Sequence, residues 1–464
     1  MALGVSEHWR RLRTYTLYKD DWAFVSSVRT PQRWGRNVWQ FHAQHCVPVF
    51  RTITALLCWA SPDLPRLADL LRLGPVVAFA LASWAVAWLA YLLCGSRAAA
   101  FGAAATFALS SVHASVVQWY SASVAAWASA FVLLSLGAWL RFVQRGSLRH
   151  YALAAVVSAL ALGCWSISIL LPALLAASLL GSWCVWALRS SRRRALMSLG
   201  TAVVLSVGWF AWLKHLRAGG AVVTDFEGRP LWEAVHPVSA FIFTCRAVAE
   251  VLIAGNVGLY AAALPAATGF AYGIGSLVLV IWAWRRWRLA TAAICAGIAC
   301  VLLGFAFPYA VRASVGYRQL RAFDWYACLP QAGVALLAAA IVERLERLTA
   351  GTRVRRTLAP WLIAAVVLAW LTHGSIVERL STTLSFPDQR AQLAELQAIE
   401  DLCQSRRIAE PLLRRVMPRY KLRGAAQFDG LELLELPQAG TAYDVDQVRR
   451  WVERLLEYGS ATPR

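Results

Sequence analysis

The stretch "YALAAVVSALALGCWSISILLPALLAASLLGSWCVWAL", Tyr151–Leu188, runs for 38 residues without a charged side chain. One helix of that length would reach about 57 Å, nearly twice the hydrocarbon thickness of a bilayer. Two spans folded into a hairpin fit better. The turn falls near "CWSISILLP", with Pro172 opening the second span, where proline is tolerated in the first helical turn. This reading sets the fold class: an all-α polytopic membrane protein.

Working outward with the same length criterion, about ten transmembrane helices are expected. They lie near 75–94, 101–118, 121–140, 151–169, 171–188, 195–214, 268–284, 289–310, 325–343 and 358–376. Composition agrees. The chain of 464 residues is 59% hydrophobic and 15% charged, too little charge to cover a soluble core. The net charge of +21 does not indicate nucleic acid, because the arginines cluster in short loops between apolar runs. The ten cysteines form no CxxC pair and read as small buried hydrophobes, so neither a metal site nor a cofactor is expected. Residues Met1–Lys19 carry Arg10, Arg11 and Arg13 without the apolar core of a signal peptide.

Every second loop is basic, as in Arg141, Arg145 and Arg149, or Arg285, Arg286 and Arg288. By the positive-inside rule these loops face the cytoplasm. The alternation then places 1–74, a long loop 215–267, the loop 311–324 and the tail 377–464 outside. The many arginines before residue 75 resist this placement. Either a leading span precedes Met1, or "VPVFRTITALLCWAS", Val47–Ser61, crosses the membrane. At 15 residues with Arg51 inside, that run suits an interfacial helix better than a span. The expected organisation is therefore an outer N-terminal segment, 1–74, with interfacial helices. A helical bundle at 75–376 follows, then a small extramembrane α/β appendage at 377–464, where "FDGLELLELP" reads as a strand between two amphipathic helices.

An acidic pair stands ahead of all spans in "YKDDWAFV", Tyr18–Val25. Further on come "QHCVPVFRTITALL" with His45, Pro48 and Arg51, then "LSSVHASVVQWYSA" with His113, Trp119 and Ser121. "FDWYACLPQAGVALL" follows, with Tyr326, Leu329, Pro330 and Gly333. In this order the motifs resemble glycosyltransferase class C, the superfamily that includes protein O-mannosyltransferases and bacterial enzymes using polyprenyl-phosphate sugars. The resemblance covers residues 18–376. It implies transfer of a sugar from a polyprenyl-phosphate donor to a glycan, lipid or protein acceptor. It also implies a bacterial plasma-membrane enzyme with its site on the outer face. The chain departs from the family pattern at Ser115, where a Glu is common, at Trp165 and Ser166, which replace Lys and Glu, and at Trp325, which replaces Arg.

Glycosyl transfer needs a carboxylate to take the acceptor's proton and cations to stabilise the departing phosphate. The resemblance assigns the first role to Asp20, with Asp21 in support. Adjacent helical residues diverge by about 100°, so one of the two faces the site; a plain helix N-cap is the simpler alternative. Arg312, Arg318 and Arg321 sit in a loop placed outside, against the charge rule, and phosphate contact or snorkelling to headgroups would each explain them. Arg51, His45 and His113 complete the candidate substrate-binding set. Arg246 and Glu250, spaced i, i+4, read as a helical salt bridge. Two other classes remain open: a degenerate relative that binds lipid-linked sugar or a partner without turnover, and a transporter. The spans are nearly free of Asp, Glu and Lys, which argues against an ion-coupled transporter.

Overall fold

The computed structural model describes residues 20–349, apart from 43–44, 62–63, 114–115, 118, 183–188, 217–235, 254–255, 257–264, 288 and 323. The acidic pair opens α1 (Asp20–Val28), followed by α2 (Pro31–Asn37). Thr30 caps α2 by accepting the Arg33 N–H at 3.2 Å, and Pro31 fills the first turn. A two-residue antiparallel ladder, β1 (Phe41–His42) with β2 (His45–Cys46), sets His42 opposite His45. Next comes α3 (Pro48–Trp59), whose 12 residues reach only about 18 Å. Phe50, Arg51, Thr54 and Cys58 are buried while Leu56 and Trp59 are exposed, the one-sided face that an interfacial helix needs.

The bundle consists of α4 (Leu64–Cys94), α5 (Arg97–Ala108), α6 (Val124–Arg145), α7 (Leu148–Cys164), α8 (Leu171–Leu180), α9 (Arg189–Leu216), α10 (Pro237–Ala247), α11 (Ala266–Trp287), α12 (Thr291–Arg312), α13 (Tyr317–Ala322) and α14 (Cys328–Thr349). Among the described residues, 6 helices are long and apolar enough to cross a membrane: Leu70–Cys94, Ser121–Arg145, Ser191–Leu216, Ala266–Trp287, Thr291–Arg312 and Trp325–Leu348. The chain is an integral membrane protein. Each of these six coincides with an expected span.

The other four expected spans fare differently. The helix expected over 101–118 stops at Ala108. Beyond it Ser110 Oγ accepts the Val112 N–H at 3.4 Å, a local bond that competes with helix continuation. The expected hairpin at 151–188 does break, at Trp165, whose φ −162° and ψ 150° are extended. Pro172 lies in the first turn of α8, but both described helices, Leu148–Cys164 and Ser166–Leu180, are shorter than a full span. The span at 358–376 and the α/β appendage at 377–464 fall outside the described residues. The boundary expected at 74/75 falls inside α4, because the amphipathic residues ahead of Pro75 are already helical and bury Leu67 and Leu71. The loop expected at 215–267 contains α10 and a π-helical turn, Val248–Ile253.

Two contacts position the site. Ser135, Ser158 and Trp139 join α6 to α7: the two hydroxyls are 2.6 Å apart and Trp139 Nε1–H donates to Ser158 Oγ at 3.1 Å. Such bonds between helices average about 0.6 kcal/mol in a bilayer. At the crossing of α12 and α14, a Cβ on Gly333 would lie 2.5 Å from the Gly297 carbonyl oxygen. Only glycine lets the backbones approach this closely. The crossing sets the last turn of α12, with Arg312, beside the 3-10 turn Asp324–Ala327 that leads into α14.

Candidate functional site

The acidic pair stands at the start of α1, with Asp20 as its first residue. Asp21 is fully buried, and its Oδ1 accepts both the backbone N–H of Ser121 at 2.8 Å and the Ser121 hydroxyl. Ser121 begins the 3-10 turn Ser121–Ser123 that runs into α6, so Asp21 ties the N-terminal segment to the start of a long helix. The amide donors there lack partners within the helix, and the positive end of the helix dipole favours a carboxyl group. Behind this contact Tyr120 is buried, stacked on Phe50 at 5.1 Å and bonded through its hydroxyl to Thr54 Oγ1 at 2.7 Å.

A second polar corner forms where β2, the break after α7 and the end of α12 meet. Ser166 Oγ lies 2.9 Å from His45 Nδ1, and Arg312 Nη2 lies 2.9 Å from His45 Nε2. Burial, then the charge of Arg312, then that of His42, hold the His45 imidazole well below its usual range. The guanidinium of Arg312 sits 5.3 Å from the Tyr326 ring centroid, and Tyr326 stacks nearly parallel on Trp165 at 5.6 Å. His45, Trp165, Ser166, Trp209, Arg312 and Tyr326 line a recess of about 50 Å³.

The two corners are linked by rings. Trp119, two residues before Ser121, packs edge-on against Trp325 at 5.3 Å. Trp325 touches Tyr326 at 5.9 Å, and Tyr326 lies under Arg312. Trp165, Ser166 and Trp325 therefore fill one side of the site with two indoles and a hydroxyl. Beside the recess opens an apolar groove of about 940 Å³. Trp34, Val49, Ile53, Val156, Val204 and Trp212 are among its walls. Trp209 lines both spaces.

Of the candidate residues, His45 and Arg312 come together. Arg51, His113, Arg318 and Arg321 have other surroundings. Arg51 is buried and donates through Nη1 to the Asn37 carbonyl, holding the end of α2. His113 is packed between Phe107, 4.3 Å away, and Phe79, 5.0 Å away. Arg318 is exposed on α13. Arg321 Nη1 bonds Glu250 Oε2 at 3.3 Å. Glu250 also holds Arg246 at 3.1 Å, the expected i, i+4 pair, and Arg246 in turn lies 3.9 Å from the Tyr317 ring centroid. Glu250 thus clamps the π-helical turn to α13. Among the described residues no group of three or more His, Cys, Asp or Glu is arranged to hold a metal ion. The sequence marks Ser166 as a departure from a pattern, and no local signal pairs it with His45. The groove escapes sequence reading too, although "GWFAW", Gly208–Trp212, places two of its indoles on one segment.

No protein-family model matches the chain, and no curated protein matches it. Solved structures do. ArnT from Cupriavidus metallidurans bound to undecaprenyl phosphate is 15% identical, with 98% of this chain and 87% of that one covered and a TM-score of 0.48. The Archaeoglobus fulgidus oligosaccharyltransferase in complex with Zn and sulfate is 14% identical, covering 83% and 52%, with a TM-score of 0.49. The same organism's AglB, with an inhibitory peptide and a dolichol-phosphate, gives 14%, 86% and 57%, and 0.48. The chain spans about half the length of these archaeal proteins. What the site does is carried by this chain's own side chains.

Proposed function

We propose that the protein is a membrane glycosyltransferase that moves a sugar from a polyprenyl-phosphate carrier to an acceptor hydroxyl on the non-cytoplasmic side. One observation carries the reading: a recess holding Arg312 and His45 shares Trp209 with an apolar groove of about 940 Å³. A ligand with an anionic head and a long hydrocarbon tail matches such a pair of spaces, the head meeting Arg312 and the chain lying in the groove.

In the reaction the acceptor oxygen attacks the anomeric carbon and the bond from that carbon to the phosphate oxygen breaks. The electron pair leaves with the lipid phosphate, whose added charge Arg312 stabilises, and the hydroxyl proton passes to a carboxylate. Because Asp21 is bonded to Ser121, the base role falls to Asp20, with Asp21 fixing the helix that carries it. The test is transfer from a polyprenyl-phosphate sugar by the purified protein in liposomes. Asp20→Asn is expected to abolish transfer. Full activity in both Asp20→Asn and Asp21→Asn would remove the mechanism.

A second reading is a protein that binds lipid-linked sugar without turnover. It is favoured by the packing of Trp165 on Tyr326 and of Trp325 on Trp119 at positions charged in the family pattern. In that case the wild-type protein binds the donor and transfers nothing.

A further inference from the structure

The tautomer of His45 is fixed by its two neighbours. Arginine carries five N–H donors and no acceptor, so the ring nitrogen 2.9 Å from Arg312, Nε2, must accept. A neutral imidazole has a single N–H, which then resides on Nδ1 and donates to Ser166 Oγ at 2.9 Å. The hydroxyl that accepts it is delivered by the helix break: Trp165 is extended, and Ser166 starts the 3-10 turn Ser166–Leu170. Trp165 itself packs edge-on against the imidazole at 6.0 Å, which limits how the ring can turn. Without an acceptor on Nδ1, that N–H would be left buried and unpaired, and the ring would lose the bond that holds it in place against Arg312.

We infer that Ser166 is a positioning residue, which, through His45, aims the Arg312 guanidinium at the phosphate of the lipid-linked ligand. The inference rests on the proposed function only in taking that ligand to be a polyprenyl phosphate. It gives Ser166 a role through the alignment of a donor, distinct from a direct contact with ligand and from packing.

The experiment measures binding of undecaprenyl phosphate to the full chain in detergent, followed by tryptophan fluorescence, together with KM and kcat for the glycosylated donor. Ser166→Ala is expected to weaken undecaprenyl phosphate binding about five- to ten-fold, the equivalent of one hydrogen bond, and to lower kcat/KM by at least as much, because the same guanidinium stabilises the departing phosphate. Ser166→Thr, which keeps the hydroxyl, is expected to restore affinity to within about two-fold. If Ser166→Ala fails to fold, Ser166→Cys, nearly equal in volume but a much weaker acceptor, is expected to show the same loss. Should Arg312→Ala weaken binding while Ser166→Ala leaves it unchanged, the inference is overturned and the proposed function stands. Equal losses in the Ala and Thr variants also overturn it, since they mark a role in packing. A wild-type protein that does not bind undecaprenyl phosphate removes both.

Discussion

Gly208 offers a way to fill the groove without disturbing the fold. It lies within α9 and lines the groove, and a Cβ built there meets no atom within 4 Å. Replacing a mid-helix glycine also removes a helix penalty of about 0.8–1 kcal/mol, so Gly208→Leu is expected to fold at least as well as wild type. The four added carbons occupy space meant for about one isoprene unit. At about 0.8 kcal/mol per buried methylene, full displacement costs about 3 kcal/mol. A flexible chain re-routes in part, so about 1–2 kcal/mol, a five- to thirty-fold rise in KM, is expected. The assay compares polyprenyl-phosphate sugars of long and short chain, and the loss should be confined to donors long enough to reach α9. An unchanged KM for the long-chain donor, in a variant shown to be folded, would refute the placement of the lipid. Gly163→Ala is the contrasting case in the same groove: its Cβ would meet Val49 Cγ2 at 2.7 Å, and destabilisation is expected there.

Three further outcomes are expected. Asp21→Ala strips the carboxyl from the Ser121 N–H and O–H and should lower stability by about 2–4 kcal/mol, read as a fall in Tm in detergent, with Asp21→Asn milder because it keeps an acceptor oxygen. Glu250→Gln removes the anion between Arg246 and Arg321, leaves both cations near a side chain that is 0% exposed, and should cost about 3 kcal/mol or more by thermal unfolding. Acidification should destabilise the corner at His45. A histidine held below its ordinary 6.5 contributes fully while neutral, above that pH, and the contribution is lost as the pH falls towards the folded value. Tm should therefore drop between about pH 7 and pH 5, and His45→Gln, which does not titrate, should flatten that slope.

What the sequence made legible is local. The break at Trp165 followed from a length that no bilayer accommodates in one helix, and six spans followed from hydropathy alone. The Arg246–Glu250 pair followed from i, i+4 spacing. The contacts that make the site are all distant in sequence. Asp21 meets Ser121 across 100 residues, His45 meets Ser166 across 121 and Arg312 across 267. No periodicity encodes such pairings, because they depend on which helix faces cross. The close approach at Gly297 and Gly333 is one example. For the same reason Arg312 at the end of α12 and the two arginines that follow it could not be told apart in the sequence. Arg312 reaches the recess, Arg321 is claimed by Glu250, and Arg318 is exposed.

Photolabelling is the most direct measurement of whether the groove and the Arg312 corner together hold a lipid phosphate. Undecaprenyl phosphate bearing a diazirine in its chain would be bound to the full-length protein, irradiated, and the labelled peptides identified. Label is expected on Val156, Val204 and Trp209, competed by unlabelled undecaprenyl phosphate and reduced in Arg312→Ala. Label spread equally over Phe101, Val278 and Trp282, which are about as exposed as Val156 and Val204 but do not line the groove, indifferent to competitor and to Arg312, would contradict the account.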